Sequence, residues 1–419
     1  MRLFSMRAVL FGTTFGLGLL GLSTVLMPTA AQAEDAASES RRAGKIVSPE
    51  GYDVGLPFSP ALWSDDLLFL SGAIGNPPGK IEVKGDIVAQ TKQTLKNLRS
   101  VLDTAGLDMS RVVSSDIYLT DLREFPAFWQ TLQKEMGVVD MAGATVESDL
   151  AIPGARLEIA MVAAKPGVEI RSIVPKGWMD PGDSGRWAVQ AGKTLFISGM
   201  ASMDPETGEF VGGDLKAQID RAMGNVGVLL KTAGMDWGDL TRCRVFLPDP
   251  ADYGPMNDAY GAFLTSEPPS RATVRARLLH PESRFGVQCI AVDDDARKVV
   301  KVAGSPPSTR PFSPAIEAGG RLYLAGMVGR GADGFPTDAA AQTRITLERL
   351  RDTLAAAGLT FDDVVNATVY LSDSRYYSAM NKVYREMVGQ APPARATVGM
   401  QLMTHEAWVE IQMTADSRP

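Results

Sequence analysis

The chain has 419 residues, too many for one ordinary hydrophobic core and suited to two or three domains. Its 45% hydrophobic and 22% charged residues are ordinary globular values, and a net charge of −7 offers no basic surface to nucleic acid. Two histidines (His280, His405) and two cysteines (Cys243, Cys289) do not space like a metal site.

The N-terminus reads as an export signal. Arg2 and Arg7 form a positive n-region, Ala8 to Met27 are mostly apolar, and Ala31-Gln32-Ala33 is an A-x-A cleavage site. Glycine and threonine dilute the apolar run and Pro28 ends it, which argues for cleavage rather than a membrane anchor. The expected product begins at Glu34, with a polar leader over 34–45, no membrane attachment after cleavage, and a secreted or periplasmic destination.

The rest of the chain repeats. "LLFLSG", "TLFISG" and "RLYLAG" end at Gly72, Gly199 and Gly326, a constant spacing of 127 residues. Units this long are domains, which divides the chain into 46–167, 168–296 and 297–419. Within each unit, short β-branched or aromatic runs stopped by glycine are strands. Asp86 and Asp338 open helical runs, with Leu95, Leu98 and Leu102 in the first and Ile345, Leu350 and Leu354 in the third, closed by Gly106 and Gly358. A second helix carries a stripe, Tyr253-Met256-Tyr260-Phe263 or Tyr377-Met380-Tyr384-Met387, which helical spacing assigns to core packing. The pattern is β-β-α-β-α-β-β, an α+β layer with two helices on one sheet face. The other face also needs cover, so sheets of different units are expected to pack together.

Three phrases near the unit ends stand out: "DMAGATVES", "PPSRATVRA" and "PPARATVGM". Prolines before Arg271 and Arg395 rigidify the approach and hold a planar cation in place, which suits capture of a carboxylate. The first copy has Gly143 instead. Glu410 lies fifteen residues after Arg395, between Val409 and Ile411, so it points to the sheet face opposite its neighbours. Cys243 and Cys289 both lie on predicted strands of the second unit and are compatible with a disulfide or with buried thiols. His280 and His405 fall in turns.

These motifs, "PFSPA", "SG", "AG…VV…YL.D", "PPARATV" and "VEI" in that order, resemble the Rid family (reactive intermediate deaminases, also called the YjgF or L-PSP endoribonuclease family). The resemblance implies three tandem chorismate-mutase-like domains, each a mixed sheet with two helices on one face, and a trimer built into one polypeptide with ligand clefts between domains. It also implies hydrolysis of a small 2-imino or enamine acid to a 2-oxo acid and ammonia, without a cofactor. In this scheme the arginine binds the substrate carboxylate and the glutamate orients water. Carried over, Arg395 and Glu410 match both roles in the third unit. The second unit keeps Arg271 with Gln288 where the glutamate belongs, and the first keeps Glu158 but has Gly143. Phe58 and Phe312 of "PFSPA" and Ser71 and Ser198 of "SG" are expected to line clefts, whereas the second unit has "SGRWA" (184–188) and the third Ala325. At most one cleft is then fully equipped, and which domains pair to form it is open. An exported copy implies a local amino-acid-oxidising partner or another substrate. The rival functions are a non-catalytic carboxylate-binding module and an endoribonuclease, the latter disfavoured by the acidic charge.

Overall fold

The computed structural model describes residues 45–137, 139–181, 185–264, 266–304 and 308–418. The export signal, nearly all of the leader and Ser184 lie outside the described residues.

Domain 1 runs β1 (Ile46–Val47), β2 (Ala61–Ser64), β3 (Leu67–Ala73), α1 (Ile87–Thr104), β4 (Val112–Leu119), α2 (Phe125–Met136), β5 (Ala142–Glu147), β6 (Asp149–Leu150) and β7 (Leu157–Ala164). Domain 2 follows with β8 (Ile170–Ile173), β9 (Ala188–Ala191), β10 (Thr194–Met200), α3 (Leu215–Ala233), β11 (Leu240–Leu247), α4 (Tyr253–Gly261), β12 (Ser270–Arg275) and β13 (Gly286–Val292). Domain 3 has β14 (Lys298–Val300), β15 (Ala315–Ala318), β16 (Arg321–Leu324), β17 (Met327–Val328), α5 (Ala339–Ala356), β18 (Val364–Leu371), α6 (Tyr377–Val388), β19 (Ala394–Gly399) and β20 (Val409–Asp416).

The three sheets share one order: β1-β2-β3-β7-β4-β5, β8-β9-β10-β13-β11-β12, and β14-β15-β16-β20-β18-β19, to which β6 of domain 1 adds an edge. Only the β4–β5, β11–β12 and β18–β19 pairings are parallel, so each sheet is mixed. The first strand of each domain (β1, β8, β14) is an addition to the sequence reading. These strands have two to four residues and form by pairing to an edge, which leaves no periodic signal.

Local chemistry starts the first and third long helices at the expected Asp86 and Asp338, and the second at Asp214. Asp86, Asp214 and Asp338 each accept a backbone N–H three residues on, at 2.7 to 2.9 Å. Each helix pair buries one face of its own sheet, giving a separate core per domain. The opposite faces bury one another. One shared apolar cluster includes Phe69, Phe196 and Tyr323, and a second includes Tyr118, Phe246 and Tyr370, so each draws residues from all three domains. The docking is cyclic: β5 packs on β10, β12 on β16 and β19 on β3.

Between the two shared clusters lies a polar layer. Asp116, Arg244 and Thr368 hold the same position on β4, β11 and β18, paired with Ala160, Gln288 and Gln412. Arg244 forms an ion pair with Asp116 and donates to Gln412 Oε1 at 3.0 Å and Thr368 Oγ1 at 2.9 Å. Gln288 Nε2 donates to Asp116 Oδ1 at 2.9 Å. Burial works against the Asp116 charge, but Arg244 and Gln288 outweigh it and hold the carboxyl below its ordinary range. Neighbouring Arg242 is pushed down to about 10 by burial and by the charge of Arg244.

Cys243 and Cys289 face each other across β11 and β13, Cα atoms 4.2 Å apart, and form a disulfide.

Asp116→Ala leaves Arg244 buried without its counter-ion. Its unfolding free energy in urea at pH 7 is expected to fall by about 3 kcal/mol, with much of the loss recovered in Asp116→Ala/Arg244→Met. Because the Asp116 pKa is depressed on folding, its contribution is present above the ordinary aspartate range and is lost as pH falls through the folded value. An Asp116→Ala midpoint equal to the parent's would show that the pair contributes nothing.

Candidate active clefts between domains

Each cleft takes its arginine position from one domain and its glutamate position from the next. Arg395, Arg271 and Gly143 are equivalent, each the second residue of the strand that pairs in parallel, opposite Ala367, Cys243 and Ser115. Glu158 pairs with Tyr118, Glu410 with Tyr370, and the matching partner of Phe246 is Gly286. The second unit therefore has Gly286, not Gln288, at the glutamate position. Gln288 lies two residues further on, in the polar layer with Asp116. The signal was present in the constant fifteen-residue spacing from Gly143 to Glu158, Arg271 to Gly286 and Arg395 to Glu410.

Arg395 and Glu410 do not share a cleft. Arg395 meets Glu158 of domain 1, whose Oε1 accepts the Thr397 N–H at 3.2 Å, and both side chains line one cavity of about 120 Å³ with Phe58, Ser71 and Tyr377. Glu410 instead faces Arg271 of domain 2, whose charge and the Thr273 N–H both favour its ionised form. Arg and Glu of one domain point into different interfaces because they lie on strands that dock against different neighbours. The expectation of at most one equipped cleft is thus corrected: two clefts carry an Arg–Glu pair, and the third, between domains 1 and 2, carries neither.

The two charged clefts are built alike. Arg395 Nη2 donates to Asn381 Oδ1 at 2.7 Å, and its guanidinium stands 4.7 Å from the Tyr384 ring centroid and 5.8 Å from that of Phe58. Arg271 Nη2 donates to Asn257 Oδ1 at 2.6 Å and stands 5.2 Å from Tyr260 and 5.3 Å from Phe312. Asn and Tyr sit on α6 or α4, so the aromatic stripe does more than pack. Tyr384 and Tyr260 are fully buried, as core residues are, while their rings hold the arginine by cation–π contact. The asparagines were not singled out by sequence, although Asn257 and Asn381 each follow a stripe methionine. Among the described residues, Arg395 Nε and Nη1 and Arg271 Nη1 lack a well-formed hydrogen bond despite burial, with the Tyr377 hydroxyl close to the Arg395 guanidinium. Buried guanidinium N–H groups so left are receptive to an anionic oxygen.

The glycines that end "LLFLSG" and "RLYLAG" make room for the glutamates. A Cβ on Gly72 would lie 1.8 Å from Glu158 Oε1, and one on Gly326 1.9 Å from Glu410 Oε1. The β3–β7 and β10–β13 registers shift at Ser71-Gly72 and Ser198-Gly199, which turns these residues toward the neighbouring domain. Ser71 Oγ accepts the Arg395 N–H at 2.7 Å and donates to Ser59 O at 2.6 Å, and Ser198 Oγ does the same for Gly143 N (2.9 Å) and Arg186 O (2.5 Å). Both serines line clefts as expected, but their hydroxyls are spent on clamping domains together.

Burial pushes the Glu158 carboxyl up to about 7 against the opposing Thr397 N–H and Arg395, and Glu410 up to about 8 against Arg271 and the Thr273 N–H. Arg395 is lowered by burial, with Tyr384, Tyr377 and Glu158 opposing. Such carboxyls exchange protons near neutral pH, as a general acid–base must.

In ¹³C-glutamate NMR titrations, two carboxyl signals are expected to titrate near 7 and near 8, one vanishing in Glu158→Gln and the other in Glu410→Gln. Since both pKa values rise on folding, these groups make the fold less stable as pH climbs from the ordinary glutamate range through 8. Titration of both near 4 to 5 would overturn the assignment.

The family model described as "Endoribonuclease L-PSP" matches residues 52–165, 184–293 and 303–417. The chain is 41% identical over 104 residues to "Protein DfrA" of Myxococcus xanthus, covering 25% of this chain and 79% of that protein. It is 34% identical over 105 residues to a "2-iminobutanoate/2-iminopropanoate deaminase" of Mus musculus, covering 25% of this chain and 78% of the relative. Among solved structures, a Rid-family protein of Yersinia pestis is 30% identical, with a TM-score of 0.28 over 29% of this chain and 99% of that one.

Proposed function

Because the chain belongs to the endoribonuclease L-PSP (Rid) family, in three tandem domains, we propose that it hydrolyses small 2-imino or enamine acids at two inter-domain clefts, Arg395–Glu158 and Arg271–Glu410. The carrying observation is a buried arginine with unfilled N–H groups set against a buried glutamate of raised pKa, twice. Relatives named for imine deamination support the reading.

The substrate carboxylate occupies the free guanidinium N–H groups, and the Phe58 or Phe312 wall excludes water from the rest of the molecule. Glu158 or Glu410, ionised, takes a proton from the water that attacks the imine carbon and passes it to the nitrogen, giving a carbinolamine. It then takes the hydroxyl proton of that adduct and delivers it to the nitrogen as the C–N bond breaks and the C=O bond forms. One water is consumed, and a 2-oxo acid and ammonia leave; an enamine first takes a proton at carbon to give the same imine. No step requires a cofactor. A cavity of about 120 Å³ with one buried cation suits a small monoanion rather than a polynucleotide.

Ammonia release from imino acids generated by an amino-acid oxidase tests the pairing. With two equal clefts, Arg395→Ala or Arg271→Ala alone is expected to leave about half the activity. The double variant loses roughly thirty-fold to several thousand-fold, as expected when a desolvated charged anchor is removed. Arg395→Ala/Glu158→Gln still leaves about half, because both changes strike one cleft, whereas Arg395→Ala/Glu410→Gln strikes both and leaves almost nothing. The reverse pattern would restore the pairing of Arg395 with Glu410.

We further propose an exported protein acting as a monomeric three-domain particle beside an enzyme that oxidises amino acids. Protein recovered from the cell envelope is expected to begin at Glu34 and to scatter light as a monomer of about 41 kDa. A mass three times larger, or an intact Met1 held on membrane, would sink this.

A further inference from the structure

The cleft between domains 1 and 2 carries neither charge, yet it is open. It encloses about 680 Å³, against about 120 Å³ at Arg395–Glu158. Three glycines account for the room. Gly143 and Gly286 stand at the arginine and glutamate positions, and Gly185 stands at that of Phe58 and Phe312, as the equivalent backbone bonds of Ser59, Ser313 and Arg186 to the neighbouring domain fix.

The supporting residues have changed in concert. Position for position along the second helices, the asparagine that holds each arginine is Trp129 in domain 1, and the tyrosine beneath it is Leu132. Trp129 stacks on Phe125 with centroids 5.6 Å apart, and His280 stacks on Phe210 at 3.8 Å and an interplanar angle of 11°. Among the described residues the one cation on the cavity wall is Arg186, engaged by Asp140 at 2.6 Å. One buried polar atom is left over. Ser115 Oγ, in a residue 1% exposed, has no hydrogen-bond partner among the described residues and lies 2.8 Å from where a Cβ on Gly143 would stand. It thus faces the path that an arginine takes in the other two clefts.

We propose that this cleft is a binding site for an uncharged aromatic small molecule, its ring on the Trp129–Phe125 and Phe210–His280 stacks and one polar atom on the Ser115 hydroxyl. Volume and lining fit a small-molecule pocket, and an anion finds no open cation on its wall. The site needs neither Arg–Glu pair, so it stands apart from the activity proposed above.

The test uses the full mature protein and the neutral fluorophore N-phenyl-1-naphthylamine. One saturable site per chain is expected, with energy transfer from tryptophan. Trp129→Asn, the residue used by the sister domains, is expected to weaken binding about tenfold while ammonia release stays within about twofold. Leu279→Asp changes a cavity residue that is 47% exposed, so folding is spared, and binding is expected to weaken similarly. Arg395→Ala/Arg271→Ala is expected to leave the fluorophore affinity unchanged even as it removes ammonia release, so the two readings fail separately. Absence of saturable binding, or binding lost in the double arginine variant and kept in both Trp129→Asn and Leu279→Asp, overturns the proposal.

Discussion

Each sheet in this protein has two apolar faces and only one pair of helices. The second face must be buried by something else, and the two other sheets of the same chain do it. Everything else follows from that demand. Burying three sheets on one another requires each domain to dock through one edge on its predecessor and another on its successor, and the clefts are what remains between them. An arginine on β12 or β19 is therefore held by its own domain's second helix and presented to the glutamate of the next domain.

The polar layer fixes which domain goes where. In three identical subunits the equivalent positions would carry one residue type three times. Here they carry an acid, a base and a hydroxyl in Asp116, Arg244 and Thr368, which satisfy one another only as a set of unlike partners. A fused chain can hold such a set because its copies are free to diverge. The same freedom shaped the clefts. An arginine missing on its own would leave a buried glutamate without its counter-charge, and a glutamate missing on its own would leave a buried arginine unpaired. The interface of domains 1 and 2 has neither, and Trp129 and Leu132 stand there where the asparagine and tyrosine serve the arginine in the other domains.

The remaining clefts hold their charge at a cost to the fold. Glu158 and Glu410 are desolvated enough that their carboxyls titrate near neutrality, so the groups best suited to move protons are also those that favour unfolding at high pH. Gly72 and Gly326 show how tightly these carboxylates are seated, since neither position has space for a methyl group.

By itself the sequence determined the local structure and the inventory. The 127-residue repeat, the aspartate caps at Asp86 and Asp338, the strands closed by glycine and the arginines behind paired prolines are set by short-range chemistry that is legible in order along the chain. Phe58, Phe312, Ser71 and Ser198 were placed in clefts by motif. What the chain order could not give was partnership. Arg395 and Glu410 are fifteen residues apart and belong to one motif, yet their strands face different neighbours, and only the cyclic docking assigns Arg395 to Glu158 and Arg271 to Glu410. "VQC" resembles "VEI" and points to Gln288 as the glutamate's counterpart, whereas the sheet register puts Gly286 opposite Phe246. Contacts between domains depend on how whole sheet faces pack, a long-range property that no window of sequence contains, so the tertiary structure alone decided which charges meet.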